Sequence, residues 1–337
     1  MPFTKHKPGT DYVNDPMRQG YLSGLLGEGK LRIPLPEMTA PLKKLALPLA
    51  GPALGPTAYE LKYINHSVVM HASRGLAIFS AASLSGSPRY KDLMRKNYCN
   101  DPWTPDPRIP EDKQIPQEYY AGNNFDLGHL SRCEDLEYGP SREDAIRSAV
   151  DTFHLTNSTP QHSHFNRSNL AGIWGRIEEH ILEKSVIADH FAAQVFNGPV
   201  LDENDPILAG SDEKFAHIRY PLQYWKVLVA IDSGGKLYAT AFLLSQAAVI
   251  RQHGLRSPAL GPGPFHFEGI SDIKLIQVPV SRIEQLTRLR FHAATRRPLS
   301  RFDPLSTPAA ALPRRRGAAD APGARIIQSL DDILLPH

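Results

Sequence analysis

Asn123-Asn124-Phe125-Asp126-Leu127-Gly128-His129-Leu130 and, further along, Asp151-Thr152-Phe153-His154-Leu155-Thr156-Asn157-Ser158-Thr159-Pro160-Gln161, running on into Phe165-Asn166-Arg167, decide how this chain reads. Between them they offer one imidazole, His129, and two carboxamides, Asn157 and Asn166. A glycine beside the histidine lets the backbone turn tightly and leaves the ring reachable. A carboxamide oxygen is a neutral, hard ligand suited to a magnesium ion that keeps most of its waters. A base and such an oxygen are the minimum for hydrolysing a phosphodiester.

Taken singly, these pieces are ordinary. Asp-x-Gly-His has the composition of a turn, and Asn before Ser-Thr-Pro or ahead of a helix reads as a turn or capping residue. Their order and spacing carry more. The sequence resembles the DNA/RNA non-specific endonucleases, which include the endonuclease G-like enzymes and belong to the ββα-metal, or His-Me finger, nucleases. That family shows Asp-Arg-Gly-His-Leu, then Thr-Phe-x-x-(Ser/Thr)-Asn-x-x-Pro-Gln, then Phe-Asn-x and a helical Trp-x-x-(Leu/Ile)-Glu. Here these are Asp126 to Leu130, Thr152 to Gln161, Phe165-Asn166 and Trp174-Gly175-Arg176-Ile177-Glu178. Asn65-His66-Ser67-Val68-Val69-Met70, Phe196-Asn197-Gly198-Pro199-Val200, Trp225-Lys226-Val227 and Ala241-Phe242-Leu243-Leu244-Ser245-Gln246 extend the similarity over residues 59–291.

The resemblance implies a magnesium-dependent endonuclease, with Mn2+ as a substitute for Mg2+, that cuts DNA and RNA and leaves 5′-phosphate and 3′-hydroxyl ends. It makes His129 the general base and Asn166 the metal ligand. Asn157 orients the base or its water, and Asp126 and Glu178 complete the catalytic set. A neutralising inhibitor or immunity protein and a homodimer are further expectations. The chemistry agrees: an imidazole with an ordinary pKa of about 6.5 is neutral often enough at neutral pH to accept a proton from water. A magnesium ion acts as a Lewis acid on the phosphate and the leaving oxygen.

Two departures matter. The family's Arg between Asp and Gly is Leu127 here, which removes a permanently charged, bidentate anion contact. Arg132, Arg167 and Arg176 are the candidates to replace it in binding substrate. The stretch from Asn166 to Glu178 is also longer than the family's by about one helical turn. Were it helical throughout, the two side chains would lie too far apart to serve one ion, so either Asn166 sits in a loop that folds back or Glu178 has left the metal's water shell.

Leu170, Ile173, Trp174, Ile177 and Ile181 form one apolar helical stripe, with Ser168 or Asn169 as N-cap. On that wheel Glu178 lies at the margin of the stripe, where a partly buried carboxylate can face a cleft. Glu179 lies opposite it and reads as a solvated charge.

With 337 residues, 41% hydrophobic and 22% charged, the chain can bury a sizeable core, and its +3 formal charge is too small to prove a nucleic-acid partner. Residues 296–325 hold seven Arg against Asp303 and Asp320, in a Pro-, Ala- and Gly-rich setting that reads as a linker. The amino terminus lacks the apolar stretch of a secretory signal, and residues 237–250 are too short an apolar run to span a bilayer. The expectation is no membrane partner, and a protein that is cytoplasmic or exported by a signal-independent route. Cys99 and Cys133 exclude a disulfide framework. Cys133 with His162 and His164 makes zinc a rival to magnesium, without the paired Cys-x-x-Cys spacing that would make it persuasive.

The architecture reads as α+β: a central, mostly antiparallel sheet with flanking helices and a ββα-metal (His-Me finger) motif. Strand-like runs flank Ser73-Arg74-Gly75, and residues 224–231 pair with 237–244 across Asp232-Ser233-Gly234-Gly235-Lys236. Residues 187–195 and 275–280 add strands, and a helix spans 282–289. Residues 85–124 and 251–272 read as loops rimming a cleft. The reading divides the chain into an irregular N-terminal arm (1–56), an endonuclease domain (57–295) and a linker with a C-terminal docking segment (296–337). The alternative is a nucleic-acid-binding protein on a weakened nuclease fold, for which Leu127 and the long Asn166 to Glu178 spacing argue.

Overall fold

The computed structural model describes residues 5–49, 58–90, 93–182, 192–208, 212–255, 275–306, 324–327 and 330–334. Its strands are β1 (Glu37–Met38), β2 (Glu60–Lys62), β3 (His66–Met70), β4 (Ala77–Ser85), β5 (Phe125–His129), β6 (Ser158–His162), β7 (Ala192–Val200), β8 (Gln223–Ile231), β9 (Leu237–Ser245), β10 (Leu275–Val278), β11 (Leu289–Arg290), β12 (His292–Ala293), β13 (Arg297–Pro298) and β14 (Arg325–Ile326). The helices are α1 (Ala40–Lys43), α2 (Arg95–Tyr98), α3 (Arg142–Val150), α4 (Ser163–Asn166), α5 (Ile173–Ile181), α6 (Ala247–His253) and α7 (Val280–Thr287).

Eight strands form one sheet in the order β14-β10-β9-β8-β7-β4-β3-β2, antiparallel at every pairing. The β8–β9 hairpin shows why the chain pairs as the sequence predicts: Asp232 Oδ1 accepts from the backbone N of Gly234 (3.0 Å) and Lys236 (2.8 Å), and Gly235 takes φ +75°. Side chains alternate across a strand, so β8 sends Trp225, Val227 and Val229 to one face and Tyr224, Leu228 and Ala230 to the other. The first face is covered by Tyr21, Leu26 and Ile33 of the N-terminal arm and by Val280 and Ile283 of α7. The second is covered by Phe165 and by Trp174, Ile177 and Ile181 of α5. The arrangement is α+β, as expected from the sequence.

Boundaries differ where local chemistry intervenes. Pro279 has no N–H to continue the ladder, so β10 stops at Val278 and α7 starts at Val280 rather than at Arg282. Ala171 adopts a left-handed conformation (φ 59°), which separates Leu170 from α5. Gly172 is therefore the N-cap in place of Ser168 or Asn169, and Leu170 is exposed rather than leading the apolar stripe. Of the strand expected at 187–195, residues 192–195 lie in β7 and 187–191 fall outside the described residues, as do Arg314-Arg315-Arg316 and most of 251–272. The C-terminal segment docks: β14 pairs with β10, Ile333 is buried on the second face, and the Leu334 carbonyl accepts from Tyr238 Oη (2.7 Å) and Gln277 Nε2 (3.0 Å). Among the described residues no helix is long and apolar enough to cross a membrane.

One buried ion pair pins the N-terminal arm to the core. The Arg18 guanidinium grips both oxygens of Asp151, and Asp151 Oδ2 also accepts from the Ile64 N–H (2.9 Å). Burial, the largest single influence, would raise the Asp151 carboxyl, but the Arg18 hydrogen bonds and the charges of His154, Arg18 and His66 together outweigh it and hold the pKa below the usual carboxylate range. Its stabilisation is therefore full above the ordinary aspartate pKa and is lost as pH falls through the depressed value. Asp151→Ala strands a buried guanidinium and is expected to cost about 3–5 kcal/mol in denaturant unfolding at neutral pH, with the gap to wild type closing in acid. A neutral-pH loss below about 1 kcal/mol would contradict the pinning role.

Candidate active site

β5 and β6 pair apart from the large sheet as a two-stranded ribbon, with Asp126 opposite Gln161 and His129 opposite Ser158. α4 and α5 follow, so the ribbon and a helix make a strand–strand–helix unit on the second face of the sheet. The Pro160 carbonyl ties it down by accepting from Tyr224 Oη (2.6 Å) and Gln246 Nε2 (3.2 Å), and Gln246 Oε1 accepts from the His162 N–H (2.8 Å). Gly128 does not make the turn its sequence context indicates. It lies in extended strand with the Gln161 side chain across it, and a methyl group there would sit 2.1 Å from Gln161 Oε1. Glycine serves clearance here rather than a turn.

His129 ends β5. Its Nε2 is buried with no hydrogen-bond partner among the described residues, and Phe153 (edge-on, 4.6 Å between centroids) and Trp103 (4.5 Å) flank the ring. Burial, then the charges of Arg95, His66 and Arg132, hold its pKa well below the ordinary value. Arg95 and Arg132 both pair with Glu134, at 3.6 and 3.0 Å.

Asn157 is fully buried and does not touch the imidazole by any hydrogen bond. Its Oδ1 accepts from the Ser131 N–H (3.0 Å) and Ser80 Oγ (3.1 Å), and its Nδ2 donates to the carbonyls of Ser131 (2.9 Å) and Thr152 (3.0 Å). Instead of holding the ring proton, it fastens the chain just beyond His129 to β4.

Asn166 closes α4. Its Nδ2 donates to Asp126 Oδ2 (3.0 Å), while its Oδ1 takes no hydrogen bond from a described residue. Arg167 grips the same carboxylate with Nε (2.9 Å) and Nη2 (2.6 Å). The long spacing to Glu178 is absorbed by a fold-back. Residues Ser168–Leu170 form a 3-10 turn, and α5 packs so closely on it that a methyl group at Gly175 would lie 2.5 Å from the Asn166 carbonyl. Asn166 thus abuts α5 three residues, under one turn, before Glu178.

Glu178 is buried and faces Lys226 (Nζ to Oε1 3.2 Å), whose ammonium also donates to Asn197 Oδ1 and lies 4.3 Å from the Trp174 ring centre. Burial pushes the Glu178 carboxyl up to about 7 against the pull of Lys226. Glu179 is not the solvated charge its wheel position indicates. It accepts from Ser168 Oγ (2.5 Å) and lies 3.8 Å from Arg132 Nη2, linking the Asn166 loop to the His129 side. Of the three candidate arginines, Arg167 stands beside Asp126 next to Leu127. Arg132 sits below the imidazole among carboxylates, and Arg176 is exposed on α5. The zinc rival finds no cluster: among the described residues no three His, Cys, Asp or Glu side chains are placed to hold an ion, and His164 stacks on His253 (3.9 Å) beside His162.

Sequence reasoning missed Lys226, Gln161, Arg95 and Trp103. A lysine inside the apolar run of β8 was a signal for a buried charge that needs a partner. Nothing in the loop residues marked Arg95 or Trp103.

The family profile described as DNA/RNA non-specific endonuclease matches residues 51–297, most of the chain, and this chain belongs to that family. An uncharacterised protein of Sinorhizobium fredii is 30% identical over 296 residues, covering 86% of this chain and 40% of the other. The mitochondrial nuclease EXOG of Xenopus laevis is 28% identical over 143 residues (42% of this chain, 35% of the other), and human mitochondrial endonuclease G is 25% identical over 135 residues (39% and 41%). The chain therefore spans less than half the length of these relatives. Among solved structures, a crystal structure of an EndoG/EndoGI complex aligns with TM-score 0.46 at 16% identity over 68% of this chain and 84% of that one.

The buried pair under α5 gives a stability test. Lys226→Met leaves the Glu178 carboxyl buried without its cation and is expected to cost about 3–5 kcal/mol. Adding Glu178→Gln should recover most of it in chemical denaturation. Additive losses in the double variant would show that the two groups are not coupled.

Proposed function

We propose that this chain is a divalent-metal-dependent endonuclease that hydrolyses DNA and RNA phosphodiesters without reading sugar or base, with His129 as general base and Asn166 as the protein ligand of a magnesium ion. The observation that carries the reading is an imidazole kept neutral and unpartnered at the end of a strand whose other end, through Asp126, holds the Asn166 carboxamide. Family membership supports the reaction class.

The residues present fit a hydrated hard cation. Asn166 presents a neutral oxygen whose amide nitrogen is already spent on Asp126, and a site with a single protein oxygen suits an ion that keeps its waters better than one that demands a cage. Manganese would substitute, having the same taste for oxygen. When bound there, the ion supplies Lewis-acid compensation for charge developing on the leaving 3′ oxygen.

This chain's own groups do the rest. His129 removes a proton from the attacking water, and the guanidiniums of Arg95 and Arg132 disfavour a premature imidazolium while drawing the phosphate in. Arg167, oriented by both oxygens of Asp126, offers the phosphate a cation where Leu127 supplies none. On this reading Arg167 answers the Leu127 argument for a weakened, binding-only protein. Asn157 and Glu178 act by position, one holding the strand end and the other seating α5. Contacts of this kind address phosphate and carry no sequence information.

His129→Ala is expected to lower cleavage of plasmid and of RNA in magnesium at least about a hundredfold, with near-wild-type turnover contradicting the assignment. Because the folded imidazole titrates below its ordinary 6.5, the neutral base persists into mild acid, and the acid limb of kcat/KM is expected below pH 6.5. A limb at or above that value would mean that a different group, or an unshifted imidazole, is the base.

A further inference from the structure

The chain has three tryptophans. Trp174 and Trp225 are wholly buried, at 0% exposure, one under α5 and one in the sheet core. Trp103 alone is half-buried, on the loop before the ribbon, and its indole lies over His129 and edge-on to Phe153 (5.2 Å). Its backbone is fixed there. The Thr104 N–H donates to the Phe153 carbonyl (2.9 Å), the Leu155 N–H to the Thr104 carbonyl (3.0 Å), and Gln117 Nε2 to the Trp103 carbonyl (3.0 Å), with Pro102 and Pro105 stiffening either side.

The second observation is the state of what lies beneath. His129 Nε2 is buried and unpartnered, yet a base must meet a water. Of the two rings that flank it, Phe153 is fully buried, whereas Trp103 is half-buried and keeps some contact with solvent. Arg95, stacked 4.8 Å from the Phe153 ring centre, places a cation beside the same mouth. A half-exposed indole next to a cation and a buried base has the makeup of a stacking platform for single nucleotides, and stacking tolerates any base because every base has a π-face.

We propose that Trp103 is a nucleobase-stacking residue: when nucleic acid enters, its indole moves off the imidazole and stacks on a base adjoining the scissile phosphate, which opens His129 to the attacking water. The proposal rests on the nuclease reading above. It gives the site an affinity that does not depend on phosphate charge.

Two measurements test it separately from that reading. The first is binding by intrinsic fluorescence: with Trp174 and Trp225 sealed in the core, quenching of the wild-type protein by a single-stranded oligonucleotide in EDTA reports Trp103. Saturable quenching is expected, with none from an oligonucleotide of the same length made only of abasic tetrahydrofuran residues. Equal quenching by both, or by neither, would overturn the proposal even if the protein proved not to be a nuclease. The second is turnover of the same two oligonucleotides. Wild type is expected to prefer the base-bearing one, and Trp103→Ala to lose roughly five- to a hundredfold in kcat/KM on it, mainly through KM, with little change on the abasic one. Trp103→Phe should recover most of the preference. Equal losses on both substrates would show that the indole only steadies His129, and an unchanged preference would show that no base stacks there.

Discussion

The four hydrogen bonds of the Asn157 carboxamide are the constraint on which the site depends. They join the segment after His129 to β4 and to the Thr152 carbonyl, so the ribbon cannot slide on the large sheet without leaving buried polar groups unpaired. A ribbon of two short strands is not stable alone in water. Here its position is inherited from the sheet through this one side chain and through the Pro160 carbonyl on the far strand. The imidazole's place in the fold is thus set in part by an amide whose four hydrogen bonds all go to Ser80, Ser131 and Thr152.

Burial serves two opposite purposes around that ribbon. At His129 it removes water and lowers the proton affinity of the ring, which favours its neutral form. At Glu178 it raises the proton affinity of a carboxylate whose partner, Lys226, is equally buried, and the pair fastens α5 to the sheet. Charges near the surface follow a third pattern. Asp126, 15% exposed in its side chain, is held by Arg167, which is 55% exposed and free to turn part of its guanidinium outward. The ribbon therefore grades from a buried imidazole to a solvent-facing cation.

Much of this was legible in the residues. The hairpins followed from alternating apolar runs and a Gly-Gly turn, and the order of His129, Asn157 and Asn166 pointed to the family that the chain belongs to. What the sequence left unread has physical causes. Leu170 matched the helical period, but period says nothing of Ala171 adopting a left-handed backbone, so the helix began later. The resemblance made Asn157 a partner for the imidazole or its water, but sequence does not reveal which groups a fold brings near, and here Ser80 of β4 and Ser131 just after β5 take up the carboxamide. Glu179 looked solvated for the same reason, since Arg132 and Ser168 approach it only in three dimensions. Gly128 was read as a turn residue, but it lies in strand with the Gln161 side chain across it, a contact that sequence does not show.

The central claim is that the Asn166 carboxamide holds the cation used by the base on the same ribbon. Its most direct test is the magnesium dependence of plasmid cleavage by wild type and by Asn166→Ala, measured over the same range of metal concentration. The account predicts that the variant needs far more magnesium for half-maximal rate and does not reach the wild-type maximum. Superimposable curves would place the ion elsewhere.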